Sequence, residues 1–155
     1  MESKIYDIKR SKFLIRNYCA KSDRCQFQVL EKLKAYGVSD GVSEDILIEL
    51  IQEDYVNDQR FADSFCSGKF KIKKWGRKKI IFELKKLKIS RVCIDSALKT
   101  IDFDDYISVA NDLIQKKSLT LKDKNIFTKK KKLADYMMRK GYESEFVWDC
   151  IRQLN

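Results

Sequence analysis

The sequence predicts an all-α protein of three tandem three-helix repeats stacked into an elongated, curved array. Three observations carry that prediction. Proline is absent and glycine occurs only five times in 155 residues, whereas tight hairpins and loops depend on those residues. Apolar residues recur three and four apart, the spacing of a helix face, and nowhere do several strictly alternating runs sit between turn signals as strands require. One helix–break–helix pattern also returns three times along the chain.

The repeats align on Gly37, Lys88 and Gly141 as helix stops. Before them stand Val29, Leu33 and Tyr36; then Ile80, Leu84 and Leu87; then Leu133 and Met137, with Lys140 breaking the pattern. After them come Ile46 and Leu50, Ile94 and Leu98, and Val147 and Ile151, provided a three-residue insertion near Ser39, Asp40 and Gly41 is allowed in the first copy. Glycine closes the first helix of the pair in two copies, where a left-handed residue ends the last turn without a Cβ penalty. Ser43, Ser90 and Ser144 precede the second helix as N-cap candidates.

A third helix leads each pair. It is read from Ile5 to about Ala20, from Asp58 to about Ile72 with Phe61, Phe65 and Ile72 on one face, and from Asp104 to about Lys117 with Ile107, Ala110, Leu113 and Ile114. The units so defined are residues 1–56, 57–102 and 103–155. A single unit of about 50 residues buries too little of its surface to be comfortable alone, so neighbours stack. The aromatic residues Phe13, Phe27, Phe61, Phe65, Phe146 and Trp148 are expected mostly in the core.

Charge singles out the middle unit. The chain carries 33 Lys plus Arg against 23 Asp plus Glu, a net +10, and residues 58–102 alone hold thirteen of the former and five of the latter. Such an excess favours a polyanionic partner, nucleic acid first. Lys69, Lys71, Lys73, Lys74, Trp75, Arg77, Lys78 and Lys79 form a basic, aromatic connector that runs into a helix. There Ile80, Ile81, Leu84 and Leu87 make the buried stripe, and Lys78, Lys79, Lys85 and Lys86 recur on the opposite side. These ten residues are the candidate contact set. They suit phosphate neutralisation with little sequence readout. Trp75 is placed either to stack on a base or a partner's Arg, or as a staple onto the core. Gly76 reads as a turn or cap, since no phosphate-loop pattern surrounds it. The second basic run, Lys129–Lys132, reads equally well as a contact surface or a solvated helix face.

Catalysis finds no support. Histidine is absent, removing the commonest neutral-pH base and metal ligand. Glu53 with Asp54, and Asp104 with Asp105, lie at helix boundaries, where carboxylates suit dipole or solvent. Five cysteines, Cys19, Cys25, Cys66, Cys93 and Cys150, include no CxxC pair and read as free thiols. No cofactor, metal or small-molecule substrate is expected. Residues 1–10 lack an apolar h-region and no run is long enough to span a bilayer, so a soluble cytoplasmic protein is expected.

Specific residues also carry a likeness to a known family. Asn57, Asp58, Gln59, Arg60, Phe61 and Ala62 resemble the acidic, Arg, Phe, Ala signature of the RecX regulatory proteins, and residues 68–77 followed by Ile80, Glu83 and Leu84 resemble its basic, Gly, Ile and Glu-Leu segment. Val29 to Gly37 and Arg139 to Tyr142 are similar to the flanking patterns. Cys25 stands where many members have Ser, and Lys88 where Gly is usual. The likeness extends from about Tyr18 to Leu154. It implies three-helix repeats and a non-enzymatic monomer that lies in the groove of a RecA filament on DNA. It also implies lowered ATPase, strand-exchange and coprotease activity, hence a place in recombination control, DNA repair and the SOS response. Single- and double-stranded DNA, bound without sequence preference, are the implied nucleic-acid partners. The chief alternative is an autonomous non-specific DNA-binding helical module; yet a major-groove reader should carry Arg, Asn or Gln for base edges, and the middle helix offers only Arg77. A scaffold for an acidic protein and a nuclease built on Asp104 or Asp105 are the remaining alternatives.

Overall fold

The structure is a computed structural model and describes residues 7–154. Among the described residues there are nine helices and no strand: α1 (Ile8–Lys21), α2 (Gln26–Ala35), α3 (Asp40–Gln52), α4 (Asp58–Lys71), α5 (Arg77–Lys86), α6 (Arg91–Leu98), α7 (Phe103–Thr120), α8 (Ile126–Arg139) and α9 (Ser144–Arg152). Helix-on-helix packing groups them in threes, α1 to α3, α4 to α6 and α7 to α9.

The three leading helices are each started by a side chain. Asp7, Asn57 and Asp102 accept from the amides of Arg10, Arg60 and Asp105, satisfying donors that the first helical turn leaves unpaired. Ile5, read as the start of the first helix, lies outside the described residues.

The second and third helices meet through one recurring corner. Gly37, Lys88 and Gly141 all take positive φ. The next residues, Val38, Ile89 and Tyr142, are buried and donate their amides back to Leu33, Leu84 and Met137. These are Schellman closures. Lys88 holds a φ of 59° that costs an L side chain energy a glycine avoids. Lys88→Gly is therefore expected to stabilise the fold by about 0.5–1 kcal/mol, the relief being partly offset by a freer unfolded chain; urea unfolding measures it.

The corner corrects the expected insertion. Ser39, Ser90 and Glu143 are the equivalent N-cap positions, directly after the buried residue. No gap separates the copies. The additional length in α3 lies at its C-terminal end, where the helix runs to Gln52. Ser90 does cap, accepting from Cys93. Ser43 instead falls inside α3 at the place of Ile94 and Val147, buried with its hydroxyl unpartnered, and Ser144 is the first residue of α9 rather than its cap.

Three side-chain expectations also change. Ile72, at the end of α4, is 78% exposed, and the buried face of that helix is Phe61, Ala62, Cys66 and Phe70. In α7 the face is Tyr106, Ala110 and Ile114, with Ile107 and Leu113 at its flanks. Phe13 is exposed beneath the Arg10 guanidinium. Tyr106 belongs to that α7 face because its ring is buried while its hydroxyl is satisfied by Glu143.

Burial is organised unevenly. The first unit has its own core around Ile15, Val29, Leu33, Ile46 and Leu50. The second and third share one continuous core. Across the first joint Cys25 and Phe27 pack against the core of the following units and polar contacts add to them: Arg60 reaches Asp23 at 3.3 Å and Asp54 at 3.1 Å, Ser64 donates to Asp23, and Asp58 accepts from the Gln26 amide at 2.8 Å. Burial pushes the Asp58 carboxyl up and that hydrogen bond pulls it back down. Cys25, at the start of α2, has its thiol 3.9 Å from the Leu87 carbonyl.

All five cysteines are free, and only Cys93 is not buried. Burial raises the Cys66 thiol to about 11, which removes the reactive thiolate at neutral pH. Ellman's reagent should titrate one thiol rapidly in the native protein and five after unfolding; rapid release of two or more would contradict this packing.

Candidate nucleic-acid interface

Helix α5 buries Ile80 and Leu84, and a 3.6-residue period then turns Lys78, Lys85 and Lys86 to solvent. On the connector before it, Lys71 and Lys73 are exposed as well. Among the described residues Lys71, Lys73, Lys78 and Lys85 have no carboxylate within ion-pair distance, while Lys86 meets Glu83 at 3.5 Å. Unpaired exposed ammoniums are what a phosphate backbone neutralises at little desolvation cost.

The remaining members of the contact set are engaged within the protein. Trp75 is half-buried edge-on to Phe65, with the Lys69 ammonium 4.9 Å and the Lys79 ammonium 4.5 Å from its ring centroid. Lys74 has a φ of 59°, and its carbonyl accepts from the Tyr142 hydroxyl at 2.9 Å. The Arg77 guanidinium lies 4.1 Å from the Tyr106 centroid and 3.4 Å from Glu143. Arg77 therefore serves the joint to the third unit with its side chain and Lys74 with its backbone carbonyl alone, so variants meant to probe the surface should spare Arg77.

That joint is a crossing of two backbones. The Gly76 amide donates to the Lys140 carbonyl and the Lys78 amide to the Gly141 carbonyl, each at 2.8 Å. A Cβ on Gly76 would sit 2.4 Å from the backbone carbon of Gly141 and the nitrogen of Tyr142. Gly141 combines a φ of +100° with a Cβ position 2.4 Å from that of Lys79. Beside the crossing, the Tyr106 hydroxyl donates to Glu143 and accepts from the Arg77 amide. Burial first, then the Glu143 hydrogen bond, push this phenol well above the usual tyrosine range. Tyr106, Tyr142 and Phe146 stack around it, with centroids 5.0 to 6.3 Å apart.

The crossing places the basic connector against the third unit. A cleft of about 390 Å³ opens between α5 and the α8–α9 corner, lined by Lys78, Lys79, Phe82, Arg139, Tyr142 and Ser144 among others. Lys140 and Tyr136 stand at the same border: the Lys140 ammonium is 3.4 Å from the Lys73 carbonyl and 5.8 Å from the Tyr136 centroid. Neither Tyr106, Tyr136, Lys140 nor Glu143 was identified from the sequence. The available signal was the pair of isolated glycines, Gly76, which reads singly as a turn or cap, and Gly141, which reads singly as a helix stop, when together they mark a close approach. Among the described residues no group of three His, Cys, Asp or Glu is gathered to hold a metal ion.

Comparison with known proteins agrees with this architecture. Residues 57–98 match the family model described as RecX, second three-helix domain, and residues 104–151 match RecX, third three-helix domain. The chain is 30% identical over 139 residues to the regulatory protein RecX of Clostridium tetani, covering 88% of this chain and 63% of that protein. It is 25% identical over 138 residues to that of Leuconostoc mesenteroides, covering 87% and 52%. It spans about half the length of several relatives it matches, as the 52% figures show. The crystal structure of RecX from Lactobacillus salivarius superposes with a TM-score of 0.86 at 21% identity over 95% of this chain and 96% of that one. A second crystal structure, of regulatory protein RecX, gives 0.85 at 20% identity over 94% and 71%.

Proposed function

Because the chain belongs to the RecX family, we propose that it binds the RecA filament on DNA and restrains it, lowering recombinase, ATPase and coprotease activity without a reaction of its own. The observation that carries this reading is the face of unpaired lysines, Lys71, Lys73, Lys78 and Lys85, fixed to the third unit by the glycine crossing. An array held rigid across two units can touch more than one repeating element of a filament, and its charge matches either acidic protein surface or DNA phosphate. Relatives are named regulatory proteins, which accords with a role exerted by binding. The same reading has it work as a monomer in the cytoplasm; among the described residues no helix is long and apolar enough to cross a membrane.

Co-sedimentation with preassembled filaments of the cognate RecA on single-stranded DNA tests the partner. Retention on filaments at a salt concentration that abolishes binding to bare single- and double-stranded DNA is expected. Equal retention on filament and bare DNA would favour an autonomous DNA-binding module.

A further inference from the structure

We propose that a single-stranded nucleic acid runs along a track of alternating lysines and aromatic rings from the middle unit to the third. The track passes over Lys69, Trp75, Lys79, Lys140, Tyr136 and Lys117, and unpaired bases replace the lysines on the two rings. It rests on the reading of the middle-unit face as a polyanion-binding surface, and adds a ligand form, a path and residues of the third unit.

The geometry is a repeated motif. Trp75 is flanked by the ammoniums of Lys69 and Lys79 at 4.9 and 4.5 Å. Tyr136 is flanked in the same way by Lys117 at 5.0 Å and Lys140 at 5.8 Å. All six residues are half-buried, set into the surface rather than projecting from it. The two pairs are joined at the glycine crossing, where Gly141 packs on Lys79 and Lys140 reaches back to the Lys73 carbonyl. Two like charges thus meet from different units, and among the described residues neither has a carboxylate partner. Burial, then the neighbouring Lys79, hold the Lys140 ammonium below the usual lysine range. A phosphate at that point would offset both effects by favouring the charged ammoniums.

The choice of a single strand follows from the rings. A lysine over a partly exposed aromatic face is a weak, solvent-accessible contact, so a base can take its place while the freed ammonium turns to the adjacent phosphate. Duplex bases are already stacked and cannot reach rings set flush in a surface, whereas unstacked bases can. The exposed lysines of α5 bind either form, since they read charge alone.

The test uses the protein by itself with an oligothymidylate and a duplex of equal length, read by fluorescence anisotropy across a salt series. In a Trp148→Phe background Trp75 is the sole indole, and its emission should be quenched by the oligothymidylate but not by duplex at saturation. Tyr136→Leu should weaken oligothymidylate binding roughly tenfold while leaving duplex binding nearly unchanged. Lys117→Gln, on the surface of α7, should lower the oligothymidylate salt slope by about 0.7. Equal effects of Tyr136→Leu on both ligands, or an unchanged slope in Lys117→Gln, would overturn the track while leaving the basic face standing. Wild-type protein with no salt-sensitive binding to either ligand would overturn the basic-face reading itself, and the track with it.

Discussion

Replacing Lys71, Lys73, Lys78 and Lys85 together with glutamine is expected to lower affinity for DNA by about a hundredfold or more at moderate salt, and to flatten the log–log salt dependence by up to about 3 to 4. The four ammoniums are exposed and unpaired among the described residues, so their removal leaves no buried charge behind and the helical fold should persist. The set differs from what charge density alone recommends, because the Arg77 side chain is tied to Glu143 of the third unit. Changing Arg77 would confound a surface effect with a loss of structure. Circular dichroism together with a salt titration separates the two; an unchanged slope in a folded variant would remove these residues from the contact surface.

Gly76→Ala and Gly141→Ala should each cost about 3 kcal/mol, lowering the melting temperature by about 10 °C. At Gly76 the new methyl would meet backbone atoms at 2.4 to 2.5 Å, and backbone cannot rotate aside as a flexible side chain can. At Gly141 the methyl adds to a φ of +100°, a region L side chains rarely adopt. The shared core of the second and third units should loosen first, whereas the first unit, whose core is separate, should keep its helices. A loss below 1 kcal/mol in Gly76→Ala, measured by thermal and urea unfolding, would show that the two units are not held in the arrangement described.

Much of the fold was legible because helix periodicity and helix stops are local. The positions of Ile80, Leu84, Leu133 and Met137 followed from spacing alone, whereas the left-handed turn that Lys88 adopts without being a glycine is not visible in its residue type. The errors cluster where a local signal has two readings. Ser43 was a plausible cap by type, but the Gly37, Val38, Ser39 order already supplied one, and an insertion was invoked where none exists. Ile72 shares the helical period of α4 yet lies past its last buried turn.

The candidate site was legible in charge and hidden in connection. The +10 net charge and the dense run from Lys69 to Lys79 located the basic surface. Which of those side chains face outward depends on residues more than sixty positions away, Lys140, Tyr142 and Glu143, that reach them through backbone and side-chain hydrogen bonds. No single-window pattern encodes such contacts. The Asn57 to Ala62 signature is a comparable case. Arg60 and Asp58 stand in sequence only as members of that signature, and in the structure they clamp the first unit to the second.

The central claim, that the chain restrains a RecA filament by binding it, is tested most directly by the DNA-dependent ATPase rate of the cognate RecA. The protein is titrated from well below to above stoichiometry, with the four-lysine glutamine variant alongside. The wild-type chain should depress the rate at substoichiometric amounts and the variant should need far more to do so. An unaltered rate across the titration, in the presence of salt-sensitive DNA binding by the same preparation, would contradict filament regulation and leave a helical module that acts on DNA alone.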